Sequence, residues 1–100
     1  MEGVRKKGTS LRVHPQLEAL KLTPRAIDVL ALLVHGHSNK VIARLLGISP
    51  LTVADHVSMI LRTFEVSSRS QIPSRVRALH ELLIEWDMAR RGSHVKGRPE

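Results

Sequence analysis

The residues of this sequence that could do chemistry are small hydroxyls and cations at the points where helices are predicted to begin. Ser38 and Ser49 each precede a run of apolar residues at helical spacing, and Lys40 and Thr52 follow within the first turn. The first turn of a helix presents unpaired N–H groups and a partial positive charge, which attract phosphate oxygens. The chemistry that this pattern favours is the binding of an anion, without covalent change.

Arrangements that would support catalysis or metal binding are missing from the sequence. We find no Ser/His/Asp set, no paired carboxylates and no glycine-rich phosphate loop. Six histidines are present, but His35 and His37 flank a glycine and have no carboxylate beside them, which is a poor geometry for a metal. We therefore expect no enzymatic activity, no metal and no cofactor.

Two helices are predicted before Gly47. Thr23 is a favourable N-cap with Pro24 at the first helical position, and Gly36 is expected to end that helix in a left-handed conformation. Its predicted inner face consists of Ala26, Val29, Leu30 and Leu33. The second helix follows Ser38, which serves as its cap. The inner stripe of this second helix consists of Ile42, Ala43 and Leu46.

A third helix is predicted over Ser49–Phe64, directly after a short turn at Gly47. Ser49 is its N-cap and Pro50 its first residue. Its inner face is the cleanest helical stripe in the sequence and consists of Val53, Val57, Ile60, Leu61 and Phe64. Two helices joined by so tight a glycine-containing turn form a helix-turn-helix. In that arrangement the second helix enters the major groove of DNA with its N-terminal residues at base edges.

A fourth helix is predicted after Val66, with two alternative starts. Ser68 and Gln71 have the spacing of a capping box, whereas Pro73 favours a kink or a later start. Its expected inner face consists of Ile72, Val76, Leu79, Leu83 and Trp86. We assign residues 1–21 to a flexible N-terminal arm or linker, 22–91 to a helix-turn-helix domain and 92–100 to a disordered basic tail.

Composition and charge limit the classes of protein to consider. One hundred residues, 42% of them hydrophobic, suffice for one small domain. The sequence has no cysteine and no apolar run near the ~18 residues of a membrane span, so we expect a soluble protein of the cytoplasm. The net charge of +7 favours a polyanionic partner, although residues 22–66 carry four basic against three acidic side chains. The alternative is that the basic ends only keep a small protein soluble.

Short motifs follow one another in a characteristic order along residues 22–80. They are LTPR at 22–25, SNK at 38–40, IS at 48–49, TV at 52–53, His56 and VSSR at 66–69. Together they resemble the LuxR-type (GerE or NarL-type) DNA-binding domain of bacterial transcription regulators. Region 4 of sigma factors shares the opening and the turn, but SNK, His56 and VSSR favour the LuxR type. The resemblance implies an all-α, four-helix bundle that binds two-fold DNA sites as a dimer, commonly through the fourth helix.

The resemblance also implies roles for individual side chains. Asn39 and Lys40 would lie near phosphates, Thr52 would hydrogen-bond a phosphate, His56 would sit at the groove edge, and Arg62 would hold the backbone. The full predicted DNA-binding set is Asn39, Lys40, Ser49, Leu51, Thr52, Asp55, His56, Ser58, Met59 and Arg62. The alternatives are that Thr52 only caps its own helix, that His56 is a half-buried imidazole bonded to a carbonyl, and that Lys40 and Arg62 are merely solvated.

The outward face of the third helix departs from the LuxR pattern at two positions. LuxR-type domains commonly carry lysine where this chain has Ala54, and Asp55 adds an anion where DNA should lie. Three interpretations stay open. Asp55 accepts a hydrogen bond from a cytosine N4 amine, or it repels phosphate and the basic ends compensate, or the domain has lost DNA binding.

The fourth helix carries more apolar surface than a three-helix core can cover. We therefore predict a homodimer through Leu79, Leu82, Leu83 and Trp86. The alternative is that the N-terminal arm folds over this face within one chain, through Leu17 and Leu20.

Taken together, the sequence predicts a sequence-specific DNA-binding regulator whose recognition helix is Ser49–Phe64. Its expected partners are double-stranded DNA and a second copy of the chain, with RNA polymerase as a further candidate. No small-molecule ligand and no membrane are expected. The second hypothesis is a helix-turn-helix module with weak or lost DNA binding that acts through protein contacts, by heterodimerisation or by touching polymerase.

Overall fold

The computed structural model describes residues 14–97, and within them the chain is all-α, as predicted. Helical segments follow one another in that range without a strand: α1 (Pro15–Glu18), α2 (Pro24–Val34), α3 (Asn39–Leu46), α4 (Pro50–Thr63), α5 (Ile72–Arg75) and α6 (His80–Gly97). α1 and α5 are single turns, so the bulk of the fold consists of four longer helices. None of the helices in the described part of the chain is both long and apolar enough to cross a membrane.

The longer helices begin where the capping residues predict. The side-chain oxygen of each cap accepts the N–H three residues further on, at 3.1 Å for Thr23, 3.2 Å for Ser38 and 3.0 Å for Ser49. Pro24 and Pro50 occupy the first turns of α2 and α4. Because a proline lacks an N–H that would be unpaired there, these starts cost no hydrogen bond.

The turns on either side of α3 depend on two glycines. Gly36, after α2, has φ of 94°, and Gly47, after α3, has φ of 70°. A side chain with a Cβ rarely adopts this left-handed region, so glycine is the residue that suits both positions. Gly47 lets α3 stop and α4 start within three residues, which sets the sharp crossing of the helix-turn-helix.

α2 lies at the centre of the core. Eight consecutive residues, Ala26 to Leu33, are buried, whereas the sequence analysis expected one buried face. The reason is that α3, α4 and α6 all pack against this helix, so little of its middle stays open to solvent. The inner face of α4 is confirmed: Val53, Val57 and Ile60 are buried against this core.

The predicted fourth helix is divided in the structure. The capping box of Ser68 and Gln71 forms, but it opens a single 3-10 turn that passes into α5. α5 begins at Ile72 with Pro73 in its first turn, which is the later start that the sequence offered as the alternative to a kink. The helix is interrupted three residues later, at Val76, and a second 3-10 turn leads into α6 at His80.

Part of the segment assigned to the N-terminal arm packs on the domain. α1 lies within it, and Leu17 is buried in the same core cluster as Leu22. Leu20 is half-buried against that cluster. This is the arrangement that the alternative to the dimer expected for Leu17 and Leu20. Residues 1–13 and 98–100 lie outside the described part, and the limits of the arm and the basic tail stay predictions.

Candidate DNA-binding surface

The structure places one continuous row of predicted site residues on the outer side of α4. Its inner side is locked to α2 and α3, so the opposite side faces solvent along the whole helix. The exposed members of this row are Leu51, Thr52, Asp55, Ser58, Met59 and Arg62. Ala54 and His56 are half-buried at its margins. This surface, from Leu51 to Arg62 on the outer side of α4, is called the recognition face below.

The start of α4 is organised by Ser49 and Thr52. Ser49 Oγ accepts the N–H of Thr52 and lies 2.9 Å from the hydroxyl oxygen of Thr52. The N-cap is therefore Ser49, as predicted, and the Thr52 hydroxyl is bonded to it. The alternative that Thr52 serves only its own helix stays a prediction. Both hydroxyls are exposed. Pro50 has no N–H and the N–H of Thr52 is bonded to Ser49, so the N–H of Leu51 is the backbone donor left beside them in the first turn. A hydroxyl and an N–H placed in this way can donate to one phosphate oxygen.

Arg69, which follows α4 in the chain and has no predicted role, hydrogen-bonds to the residues at the start of α3. Arg69 donates to the carbonyl oxygen of His37 at 2.9 Å and also to Oδ1 of Asn39. Asn39 is consequently half-buried and already bonded, whereas its neighbour Lys40 is exposed. The motif VSSR marked Arg69, but its partners lie thirty and thirty-two residues away, beyond the reach of local spacing rules.

The electrostatics of the recognition face depend on few charges. Asp55 is exposed, and among the described residues its carboxylate takes part in no ion pair or side-chain hydrogen bond. Arg62 stands two turns further along the same helix and is also exposed. Lys40 and Arg44 supply exposed cations on α3. Within the recognition face itself, Asp55 is the one acidic side chain and Arg62 the one basic side chain.

Comparison with known proteins gives the family. The model of the family described as "Bacterial regulatory proteins, luxR family" matches residues 20–76, which is more than half of the chain. The chain belongs to this family. The resemblance inferred from the sequence motifs is confirmed, and the matched region is the DNA-binding domain of a transcriptional regulator, a class that is not enzymatic.

Individual relatives support the same assignment. The chain is 46% identical over 50 residues to the transcriptional regulatory protein DegU of Brevibacillus brevis, covering 50% of this chain and 21% of that protein. It is 40% identical over 58 residues to the nitrate/nitrite response regulator protein NarL of Escherichia coli K12, covering 58% and 27%. It is 48% identical over 54 residues to the transcriptional regulatory protein LnrK of Bacillus subtilis, covering 54% and 24%. The chain spans about a quarter of the length of these relatives. No solved structure gives a significant match.

α6 lies outside the region that matches the LuxR family, yet it is tied to the middle of α2. Asp28 is 4% exposed and accepts hydrogen bonds from the indole N–H of Trp86 at 2.8 Å and from Arg90 at 2.8 and 2.7 Å. Arg25 adds a fourth bond at 3.1 Å. The guanidinium of Arg90 also stands 5.3 Å from the centre of the Trp86 ring, within cation–π distance.

Asp28 also affects the ionisation of Arg90. The hydrogen bond to Asp28 raises the pKa of Arg90 above its ordinary value, and the smaller effect of burial opposes this. The sequence analysis did not single out Asp28. A lone acidic residue inside an apolar helix was the available signal, because such a residue is buried only when it is paired.

The predicted dimerisation residues occupy two different environments. Leu83 has no exposed surface and Trp86 is 8% exposed, both within the core of a single chain. Leu79 and Leu82 are half-buried at the edge of that core. Leu82 and Trp86 line a groove of about 210 Å³ together with His14 and Leu17. Leu79 and Leu82 are therefore accessible to a second copy of the domain, whereas Leu83 and Trp86 offer almost no accessible surface.

Proposed function

We propose that this LuxR-family chain binds specific double-stranded DNA sites by inserting α4 into the major groove. The observation that carries the proposal is the recognition face: one side of α4 packs against the core, and the other presents a row of side chains that are exposed to solvent. A helix held in this way offers its N-terminal residues to base edges at a defined angle. The names of the relatives, which are those of transcriptional regulators, favour the same role for this chain.

The contacts that we propose fall into two groups. Lys40, the hydroxyls of Ser49 and Thr52, and Arg62 contact phosphates and fix the position of the domain. Asn39 contributes to this positioning indirectly. Its hydrogen bond with Arg69 orients the start of α3, and α3 in turn lies beside the duplex in this proposal. His56 borders the groove.

Asp55, Ser58, Leu51 and Met59 lie over the bases in this proposal. Asp55 accepts a hydrogen bond from the N4 amine of a cytosine, which is a recognised specific contact of a carboxylate. The absence of any partner for its carboxylate among the described side chains favours this role.

A salt titration tests the proposal directly. Binding of the intact chain to random duplex is measured by fluorescence anisotropy from ~50 to ~300 mM salt. Each phosphate contact by a cation contributes about −0.9 to the slope of log K against log salt. Lys40 and Arg62 together predict a slope of about −2 for each bound chain, and the Lys40→Ala variant should lose about one unit. Selection of bound DNA fragments then gives the preferred site.

The second candidate function is a module that works through protein contacts alone. The observation that favours it is the low cationic charge of the recognition face, where Ala54 and Asp55 stand side by side. The same titration separates the two functions, because a chain with no affinity for any duplex at ~50 mM salt contradicts DNA binding. In that case capture of RNA polymerase or of a related regulator is the measurement to make.

We further propose that the chain pairs with a second copy through Leu79 and Leu82, with Leu83 and Trp86 supporting that surface from below. Two copies would place two recognition faces on a two-fold site, as half-site geometry requires. Sedimentation of the intact chain tests this, and a monomer at tens of micromolar contradicts it. A DNA-binding role also places the protein in the cytoplasm, on the nucleoid.

A further inference from the structure

The most exposed large hydrophobic side chain described in this structure is Leu51, with 74% of its surface open to solvent. It is the second residue of α4, one position after Pro50. It belongs neither to the core nor to the half-buried side chains that pack around the core. The fold therefore makes no use of this side chain.

The position is also free of negative charge. The first turn of α4 contains no acidic side chain. Leucine is neutral and apolar, so nothing at residue 51 repels an approaching phosphate.

Leu51 and Asp55 are one helical turn apart on the same side of α4. Residues four apart on a helix have Cβ atoms about 5–6 Å from each other, and base pairs are stacked about 3.4 Å apart. If Asp55 accepts from a cytosine N4 amine, Leu51 reaches the adjacent base pair or the next one. The apolar group that the major groove offers there is the C5-methyl of a pyrimidine.

We propose that Leu51 is a specificity-determining residue that contacts the C5-methyl group of a pyrimidine one or two base pairs from the cytosine read by Asp55. This inference rests on the proposed function, since it requires α4 in the major groove. Two bases carry such a methyl group, thymine and 5-methylcytosine. The shared feature is the methyl, and the experiment separates the two bases.

The test uses the intact chain and a duplex chosen by selection of bound fragments. Each thymine of the selected site is replaced in turn by uracil, which differs from thymine only in lacking the methyl. Burying one methyl corresponds to about a fourfold change in affinity. We expect one position at which uracil weakens binding of the unmodified chain about fourfold and weakens binding of Leu51→Ala less than 1.5-fold.

The second arm places cytosine or 5-methylcytosine at that same position. A gain of about fourfold with 5-methylcytosine, absent in Leu51→Ala, means that Leu51 accepts the methyl of either base. Equal binding of the two cytosines means that thymine is the base recognised. Met88→Ala is the matched control, because Met88 is also highly exposed (64%) but lies on α6, away from the recognition face. This variant should keep the full response to uracil.

The inference fails if uracil weakens binding equally in the unmodified chain and in Leu51→Ala, or at no position. It also fails if Leu51→Ala changes the sedimentation of the chain without changing base preference, since that would make Leu51 a protein contact. Failure of the proposed function looks different. In that case neither form binds any duplex at ~50 mM salt, whereas failure of this inference alone leaves salt-dependent binding intact in both.

Discussion

The indole N–H of Trp86 donates a hydrogen bond to Oδ1 of Asp28 at 2.8 Å, joining residues that are fifty-eight positions apart in the chain. The bond connects α6, which lies beyond the matched region of the family, to the middle of the central helix of the domain. Arg90 binds the same carboxylate through two of its nitrogens. A bidentate arginine and an indole N–H together satisfy a carboxylate that would otherwise be costly to bury.

Replacing Asp28 by alanine should therefore be strongly destabilising. The change leaves the buried indole N–H without an acceptor and the partly buried Arg90 without its counter-ion. Loss of one partner from such a cluster costs about 2–4 kcal/mol in the free energy of unfolding. Urea titration followed by the fluorescence of Trp86, the one tryptophan of the chain, measures the effect.

Asp87→Ala is the matched control for this prediction. Asp87 also pairs with an arginine, Arg91, at 3.1 Å within α6, but both side chains are more exposed than that of Asp28, 16% for Asp87 and 40% for Arg91. A local pair at i and i+4 contributes about 0.5 kcal/mol. Similar losses for the two variants would show that the Asp28 cluster contributes no more than a local ion pair within one helix.

Arg69 should be needed to hold the start of α3 in place. Its guanidinium bonds the His37 carbonyl and Asn39 at once, a fork that a lysine ammonium reproduces poorly. We expect both Arg69→Ala and Arg69→Lys to lower the free energy of unfolding by about 1–2 kcal/mol, by thermal or urea denaturation. A fully stable Arg69→Lys protein would mean that charge, and not the forked geometry, is what matters.

The local signals in the sequence were sufficient for the helix-turn-helix. Thr23, Ser38 and Ser49 act as the caps that their residue type predicts, because an N-cap bond spans only three residues. Gly36 and Gly47 likewise take the left-handed conformations expected after a helix. Each of these features depends on a few neighbouring residues, so a single sequence contains the necessary information.

The environment of α6 was beyond such signals. The sequence places Trp86 both on the inner face of this helix and in a dimer interface. The inner face is confirmed, and the surroundings of Trp86 there include Asp28 and Leu17, both far away in sequence. The break at Val76 is not predicted either, because no proline or glycine stands at residues 74–78 to mark it. Long-range packing decided all of these features.

Removal of the cap at Ser49 should affect the recognition helix more than the fold as a whole. Ser49→Ala deletes the acceptor for the Thr52 N–H and the partner of the Thr52 hydroxyl. A loss of about 1 kcal/mol in the free energy of unfolding is expected. Ser38→Ala, which deletes the cap of α3, should cost a similar amount.

DNA binding distinguishes these two cap variants. If Ser49 and Thr52 contact phosphate, Ser49→Ala should weaken binding to random duplex more than Ser38→Ala does at equal stability. Anisotropy at fixed salt, with both proteins fully folded, makes the comparison. Equal weakening by the two would remove the support for a phosphate contact at the start of α4.

The charge of Asp55 gives the most informative change on the recognition face. Asp55→Lys removes an acceptor and adds a cation in one step. If Asp55 reads a cytosine, the variant should bind its selected site more weakly and lose the preference for cytosine at one position, by about 1–3 kcal/mol. It should at the same time bind random duplex more tightly, with a steeper salt slope by about one unit.

Ser58→Lys separates the two effects, because Ser58 is also exposed on the recognition face and adding a lysine there leaves the carboxylate of Asp55 in place. This control should tighten binding to random duplex and keep the preference for cytosine at the position that Asp55 reads, whichever base Ser58 itself faces. Were Asp55 only a source of repulsion, both variants would tighten binding to every sequence, selected site included. The two roles of Asp55 are therefore distinguished by one ratio. It compares the affinity for the selected site carrying cytosine at the position read by Asp55 with the affinity for the same site carrying thymine there. A carboxylate that accepts from N4 loses its partner when thymine presents the O4 acceptor instead, so the ratio must fall in Asp55→Lys and stay unchanged in Ser58→Lys.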